Sequence, residues 1–257
     1  MNDLEKRIAR LSNVPDSLVF VHASLDSTNT EARRLAESGC ARPTLVIAER
    51  QSAGRGRMGR SFYSPADTGL YMTAMFEATE SVSDTVLLTT SAAVATARAI
   101  ERLARISVGI KWVNDLYRNG KKICGILCES FEENGKRFVL VGVGVNLCTE
   151  DFPDELKGIA GSLGVKKDIR HELAANIFGE LWNYYHTRDQ SGMIEYYREH
   201  SLVIGKRIVF FEDGKSCFGT ARDVDEYGRL FVCLDNGDEK ILSSGEITLR
   251  LDEGDGK

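Results

Sequence analysis

The chain has 257 residues, with 33 Lys and Arg against 38 Asp and Glu for a formal charge of −5. That length has room for one large domain and one small one, and the charge excludes a general nucleic-acid coat, which needs a basic surface to displace counterions. Hydrophobic residues at 42% and charged residues at 28% exclude a disordered chain, and no run approaches the ~18 uncharged apolar residues of a membrane-spanning helix.

From the N-terminus, MNDLEKRIARL is charged throughout and has no apolar core, so it is not read as a secretory signal. Residues 1–18 form a polar, partly helical lead-in, and Val19-Phe20-Val21 is a short strand. Thr28 with Glu31 three residues on reads as a capping box, predicting a helix from about 29 to Ser38 closed by Gly39. Thr44–Ala48 and Leu70–Phe76 are strands, separated by the aperiodic stretch Gln51–Pro65. Asp84–Ala104 is a long helix with Leu87, Leu88, Ala95, Ala99 and Leu103 inward. Val108–Val113 is a strand. Asn119-Gly120 and Asn134-Gly135 are type I′ hairpin signals that make Lys121–Phe131 and Arg137–Leu147 antiparallel neighbours. Asp168–His186 and Ser191–His200 read as helices. Short strands at Ile208–Phe211, Arg229–Leu234 and Ile247–Leu251, with a third Asn-Gly at Asn236-Gly237, suggest a small barrel-like module. The expected fold is α+β: a mixed, largely antiparallel sheet with flanking helices over 1–202, and a small β-barrel over 203–257.

The six cysteines (Cys40, Cys124, Cys128, Cys148, Cys217 and Cys233) sit mostly in apolar runs without C-x-x-C spacing, and the four histidines are scattered. Free thiols in a reducing cytoplasm are expected, with no metal held by a direct side-chain cluster.

Four features carry chemistry. Arg50 to Arg60 holds four arginines and three glycines, with no Asp or Glu between Glu49 and Asp67. Bare backbone N–H groups and forked guanidinium donors suit an anion such as a phosphate or carboxylate; a solvated loop or an RNA-binding patch is the alternative. Lys111-Trp112-Val113-Asn114-Asp115 ends one strand, and the Asn119-Gly120 turn returns Lys122 alongside it. Lys111, Asn114 and Lys122 thus converge on one mouth, or are simply turn residues and a surface cation. Alternation from Val139 to Leu147 turns the valines to the core and leaves Gly142, Gly144 and Asn146 on the other face. Such a floor suits a flat heterocycle, or else a bulge or a tightly packed helix. Ser27-Thr28-Asn29 opens a helix, where spare hydroxyl and amide groups either cap or bind a small polar molecule.

Taken together, Ser27-Thr28-Asn29, Gln51 ahead of Gly54-Arg55-Gly56-Arg57-x-Gly59-Arg60, Lys111-Trp112-x-Asn114-Asp115, Lys122-x-x-Gly125-Ile126 and Gly142-x-Gly144-x-Asn146 resemble the biotin–protein ligases, from about Val21 to the C-terminus. The resemblance implies a mixed α/β catalytic domain with an SH3-like C-terminal domain. It implies that biotin and ATP form biotinyl-5′-AMP, which then modifies a lysine of a biotin carboxyl carrier domain. Ser27, Thr28, Asn29 and Gln51 would bind the ureido ring, with Gly125 beside it. Arg55, Gly56 and Arg57 would close over the acyl-phosphate, and Lys122 would contact the reacting carboxylate and phosphate. Arg57, Arg60, Phe62, Asn114, Lys122 and Asn146 would face ATP, and Mg²⁺ would enter on its phosphates. Arg55, Arg57, Lys111 and Lys122 are the implied catalytic cations. The family usually has Pro where Val113 stands and Trp where Phe62 stands; Phe62 keeps a π face for adenine, and Val113 at a strand end is expected only to loosen a turn.

About 20 residues precede the matching region, fewer than a DNA-binding domain needs, so a cytoplasmic enzyme without operator, other nucleic-acid or membrane partners is expected. An exposed sheet edge offers pairing with a second copy or with the carrier. Arg250 is a further candidate for reaching the nucleotide. The competing readings are a lipoate or octanoate ligase or transferase of the same fold, and a non-catalytic effector-binding module.

Overall fold

A computed structural model of the chain describes residues 1–78, 85–187, 192–212, 214–245 and 247–249. Five helices and twelve strands are assigned: α1 (Asp3–Ser12), β1 (Leu18–His22), α2 (Thr28–Glu37), β2 (Thr44–Ala48), β3 (Gly69–Glu77), α3 (Thr85–Ala104), β4 (Gly109–Lys111), β5 (Asp115–Arg118), β6 (Lys121–Glu133), β7 (Lys136–Asn146), α4 (Arg170–Thr187), α5 (Met193–Glu199), β8 (Arg207–Glu212), β9 (Lys215–Val224), β10 (Leu230–Leu234), β11 (Glu239–Leu242) and β12 (Ile247–Leu249). The first seven strands form one mixed sheet in the order β1-β2-β3-β7-β6-β5-β4, and the last five an antiparallel sheet in the order β11-β10-β9-β8-β12. β1 and β2 are parallel; every other neighbour in the large sheet is antiparallel.

The two hairpin turns form as the Asn-Gly pairs require. Asn119 and Gly120 have φ of 50° and 75°, and Asn134 and Gly135 have 52° and 72°, the positive values that a type I′ turn needs at both central positions. Those turns fix the register of β5, β6 and β7, so that Gly125 faces Gly144 and Leu127 faces Gly142. At Asn236-Gly237 only the glycine takes a positive φ, 92°.

Strand alternation divides the large sheet into two chemically different faces. On one, Val139, Val141, Val143 and Val145 join Leu70, Met72, Ala74, Cys124 and Ile126 in the main core beneath α3 and α4. On the other, Phe138 and Leu140 pack with Val46 and Met75 under Ala32 and Ala36 of α2. The next positions on that face, Gly142, Gly144 and Asn146, carry no apolar side chain. There the apolar packing of α2 gives way to Asn29 of its first turn against Gly142, and the face opens into a cavity.

The main core runs on without a break into Ile208, Phe210, Ala221, Leu230 and Val232 of the second sheet. Trp112 Nε1 donates to Gly228 O at 3.0 Å across the junction. The second sheet is built wholly from residues 207–249. Among the described residues no helix is long and apolar enough to cross a membrane, and all six cysteines are free thiols, with Cys124 buried.

Several local expectations change. Thr28 and Glu31 form no capping box: the helix begins at Thr28, Ser27 is the N-cap without a side-chain cap bond, and Glu31 N–H donates to Ser27 O at 3.0 Å. The strand predicted over 108–113 is three residues long; Trp112 and Val113 leave it in a turn whose peptide bond is cis. On α3, Leu87 and Leu103 are half-buried while Leu88, Ala92, Ala95, Ala99 and Ile100 are buried. The outer side of β4 is not an open edge, since Ile110 N–H donates to His200 O at 2.7 Å and Leu202 N–H to Ile110 O at 2.9 Å. β9 and β11 had no signal strong enough to predict them. Asp84, Ser191, Arg250 and Leu251, each part of a sequence expectation, lie outside the described residues.

Candidate active site

A cavity of about 520 Å³ opens over the glycine face of the large sheet. Ser27, Thr28, Asn29, Gln51, Arg55, Gly56, Arg57, Arg60, Phe62, Lys111, Asn114, Lys122, Gly125 and Asn146 all line it. Residues from four separate stretches of the chain, each singled out for its chemistry, thus meet at one place.

The glycines are where they are for steric reasons. A Cβ on Gly142 would lie 2.2 Å from Asn29 Oδ1, and one on Gly144 would lie 2.5 Å from Phe62 Cε1. Their absence lets the start of α2 and the aromatic ring of the β2–β3 connection sit directly on the strand backbone. Phe62 also reaches Gly125, where a Cβ would be 3.3 Å from its ring.

One end of the cavity is a network of neutral polar groups. Thr28 donates its backbone N–H and its hydroxyl to Gln51 Oε1 at 2.8 and 3.1 Å, and Gln51 Nε2 donates to Ser64 Oγ at 2.9 Å. Thr73 Oγ1 on β3 lies 2.8 Å from Thr28 Oγ1 and 2.6 Å from Asn29 Oδ1. Ser27, Thr28, Asn29 and Thr73 are all buried. Buried polar groups fixed in this way are preorganised to read the hydrogen-bonding edge of a small molecule.

The other end is cationic. Arg57 Nη1 donates to Asn114 Oδ1 at 3.1 Å, and Asn114 Nδ2 to Ile126 O at 2.9 Å. Lys122 Nζ is 2.6 Å from Asp115 Oδ1, and Lys111 Nζ stands 5.7 Å from the centre of the Tyr117 ring. Arg55 forms a two-point ion pair with Glu129. Burial pushes the Tyr117 phenol up, so its ring stays neutral beside Lys111. Asn146 Nδ2 donates to Gly161 O at 3.0 Å, while its buried Oδ1 has no hydrogen-bond partner. Among the described residues no group of three or more His, Cys, Asp or Glu is placed to hold a metal ion.

The structure adds residues that the sequence reading passed over. Glu129 and Thr73 brace Asn29, and both lie on the glycine face by simple alternation from Gly125 and Tyr71. Glu129 is a charge set between Leu127 and Phe131 on that strand face, a signal legible in the sequence. Phe152, Leu156, Ile159 and Ala160 wall one side, tied down where Lys122 N–H donates to Ile159 O and Gly161 N–H to Lys122 O, each at 2.9 Å. Gly245, Ile247 and Thr248 bring the second sheet to the rim, a contribution with no local sequence mark.

The chain is similar to known proteins over most of its length. The model of the biotin/lipoate A/B protein ligase family matches residues 21–146, and that of the biotin protein ligase C terminal domain matches residues 203–250. The bifunctional ligase/repressor BirA of Bacillus subtilis is 34% identical over 255 residues, covering 95% of this chain and 78% of that protein. The biotin--[acetyl-CoA-carboxylase] ligase of Mycobacterium tuberculosis is 32% identical over 243 residues, covering 88% and 87%. The structure of the biotin protein ligase from Aquifex aeolicus in complex with biotin and ATP aligns with a TM-score of 0.76 at 25% identity, over 90% of this chain and 98% of that one. With the site geometry and this coverage in hand, the chain belongs to the biotin protein ligases of the biotin/lipoate A/B protein ligase family.

Proposed function

We propose that this chain attaches biotin to a protein lysine at the expense of ATP. The biotin carboxylate attacks the α-phosphorus of ATP, forming biotinyl-5′-AMP and releasing pyrophosphate. The neutral ε-amine of the acceptor lysine then attacks the acyl carbon, forming the amide and releasing AMP. The observation that carries this reading is the division of one cavity into a neutral polar end and a cationic end. The first step must bring a carboxylate against a polyphosphate, and mutual repulsion of the two anions is its main obstacle.

In this reading Ser27, Thr28, Asn29 and Gln51 hold the ureido ring, with Gly125 leaving room beside it. Arg55, Gly56 and Arg57 lie over the acyl-phosphate, Lys122 contacts the reacting carboxylate and α-phosphate, and Lys111 adds a further positive charge. Phe62 and Arg60 receive the nucleotide, with Asn114 and Asn146 on its adenine and metal-phosphate side. Mg²⁺ would neutralise phosphate charge. Asp115 and Glu129 are each engaged by a cation, which fits a metal that arrives on the phosphates rather than on a carboxylate cluster. Closing the Arg/Gly loop over the anhydride keeps water from it.

The acceptor is a biotin carboxyl carrier domain, and the setting is the cytoplasm. A homodimer would pair through an edge other than β4, which the His200–Leu202 segment already takes. Biotin is favoured over lipoate or octanoate by the match of residues 203–250 to a biotin protein ligase C terminal domain. The test is incubation with biotin, ATP, Mg²⁺ and a carrier domain, followed by intact mass. The carrier should gain one biotinyl group, and pyrophosphate should appear with biotin but not with lipoate. An unchanged carrier mass overturns the reading.

A further inference from the structure

The β2–β3 connection carries Gln51, Arg55, Gly56, Arg57, Arg60 and Phe62, yet the two strands it joins are adjacent, with Ala48 opposite Tyr71. Its two stems are Glu49, directly after β2, and Asp67, two residues before β3. One side chain from outside the cavity reaches both. Arg170, the first residue of α4 and only 16% exposed, forms an ion pair through Nη1 with the Glu49 carboxylate. The same nitrogen lies 3.4 Å from Asp67 Oδ1. Arg170 is itself aimed by Asp168, which accepts from Nε and Nη2 at 3.0 Å each and from the Arg170 backbone N–H at 3.1 Å. His171 Nε2, beside it, lies 3.6 Å from Glu49 Oε1.

We propose that Arg170 is a positioning residue for biotin activation, a clamp that ties both stems of the Arg/Gly connection to the start of α4. The inference rests on the reading of the site as a biotin and ATP pocket. Arg170 lines no part of the cavity, so it acts through Glu49 and the residues that follow. The planar fork of a guanidinium presents five donors in fixed directions and can meet one carboxylate at two points while reaching others, whereas an ammonium acts as a compact point charge. With the stems held, Gln51 at one end of the connection and Arg55 and Arg57 at its turn lose less conformational freedom when substrate arrives. Without the clamp, that ordering is drawn from the binding of biotin and ATP. The carrier step, which uses an intermediate already enclosed, is spared.

The experiment compares Arg170→Gln, Arg170→Lys and Glu49→Gln with the parent chain by two readouts. The first is the rate of tryptic cleavage after Arg55, Arg57 and Arg60 without substrate. The second is KM for biotin, ATP and carrier alongside kcat. Arg170→Gln should speed cleavage in that segment roughly five- to tenfold and raise KM for biotin and ATP by a similar factor, with KM for carrier within about twofold. Glu49→Gln should follow it, and Arg170→Lys should restore part of the loss. Unchanged cleavage and unchanged KM in folded Arg170→Gln overturn the proposal. So does faster cleavage spread over the whole chain with a uniform fall in kcat, which marks a merely structural role. If Arg170→Gln does not fold, Glu49→Gln and Arg170→Lys decide by the same two readouts. Failure of the parent chain to release pyrophosphate with biotin sinks the reading of the site, while the cleavage rates still test the clamp.

Discussion

Glu129 holds Arg55 at two points, Oε1 to Nη2 at 2.8 Å and Oε2 to Nη1 at 3.0 Å, and the same Oε2 accepts Asn29 Nδ2 at 2.8 Å. One carboxylate thereby links the Arg/Gly loop to the first turn of α2 beside the cavity. Arg55 is 45% exposed, so solvent screens the pair and a contribution of about 1 kcal/mol is expected. Glu129→Gln, which keeps the shape but not the charge, should raise KM for biotin about fivefold, read by biotin-dependent pyrophosphate release. A KM within twofold of the parent would show that the link does not position the loop.

The glycine floor predicts an asymmetry. Asn29 is braced by both Thr73 and Glu129, so it cannot retreat from a Cβ at 142, whereas the Phe62 ring can tilt away from one at 144. Overpacking of this kind costs about 1–3 kcal/mol, and Gly142→Ala should sit at the upper end. We expect Gly142→Ala to impair biotin binding tenfold or more, roughly 1.4 kcal/mol, and Gly144→Ala to act less, chiefly on ATP. Isothermal titration with each ligand distinguishes the two, and the reverse order of severity would contradict the geometry.

Lys122 stands 2.6 Å from Asp115 at the cationic end. Removing a cation that stabilises developing charge in a water-poor site costs on the order of 10²–10³ in rate. Lys122→Ala should lower biotin-dependent ATP–pyrophosphate exchange by about that factor while the chain stays folded. A non-catalytic binding module would retain its ligand affinity nearly unchanged, so a small effect on biotin binding and no exchange in the parent would favour that alternative.

Cys124, fully buried between β5 and β7, gives a pH-dependent expectation. Burial pushes its thiol well above the ordinary range, because an apolar interior disfavours the thiolate. The folded state then favours the protonated form, so this group supports the fold fully below about pH 8.5 and that support fades as pH rises beyond it. At pH 8 a disulfide-exchange reagent should leave Cys124 unmodified until the chain is unfolded, as peptide mapping after labelling can establish. Labelling of Cys124 in the native protein would contradict its placement in the core.

Much of the fold was legible because its causes are local. Positive φ at Asn119-Gly120 and Asn134-Gly135 sets two hairpins, and a period of two from Val139 to Val145 sorts the faces of β7. The Arg/Gly run was equally plain, since four cations with no carboxylate among them stand out in an acidic chain. Where local rules misled, a distant partner had displaced them. Thr28 has the chemistry of a cap, but the helix begins one residue earlier, with Ser27 as N-cap, and Gln51 and Thr73 engage the Thr28 hydroxyl instead.

Which strands alternate, where the chain reverses and which stretches carry anion-seeking or amide-rich chemistry are all consequences of neighbouring residues, and so are legible along the chain. Which carboxylate meets which cation follows from the packing of distant elements. Arg55 finds Glu129 74 positions away, and Arg170 finds Glu49 121 positions away. Coulomb attraction depends on distance in space and on burial, and strand order sets both without leaving a mark in local spacing.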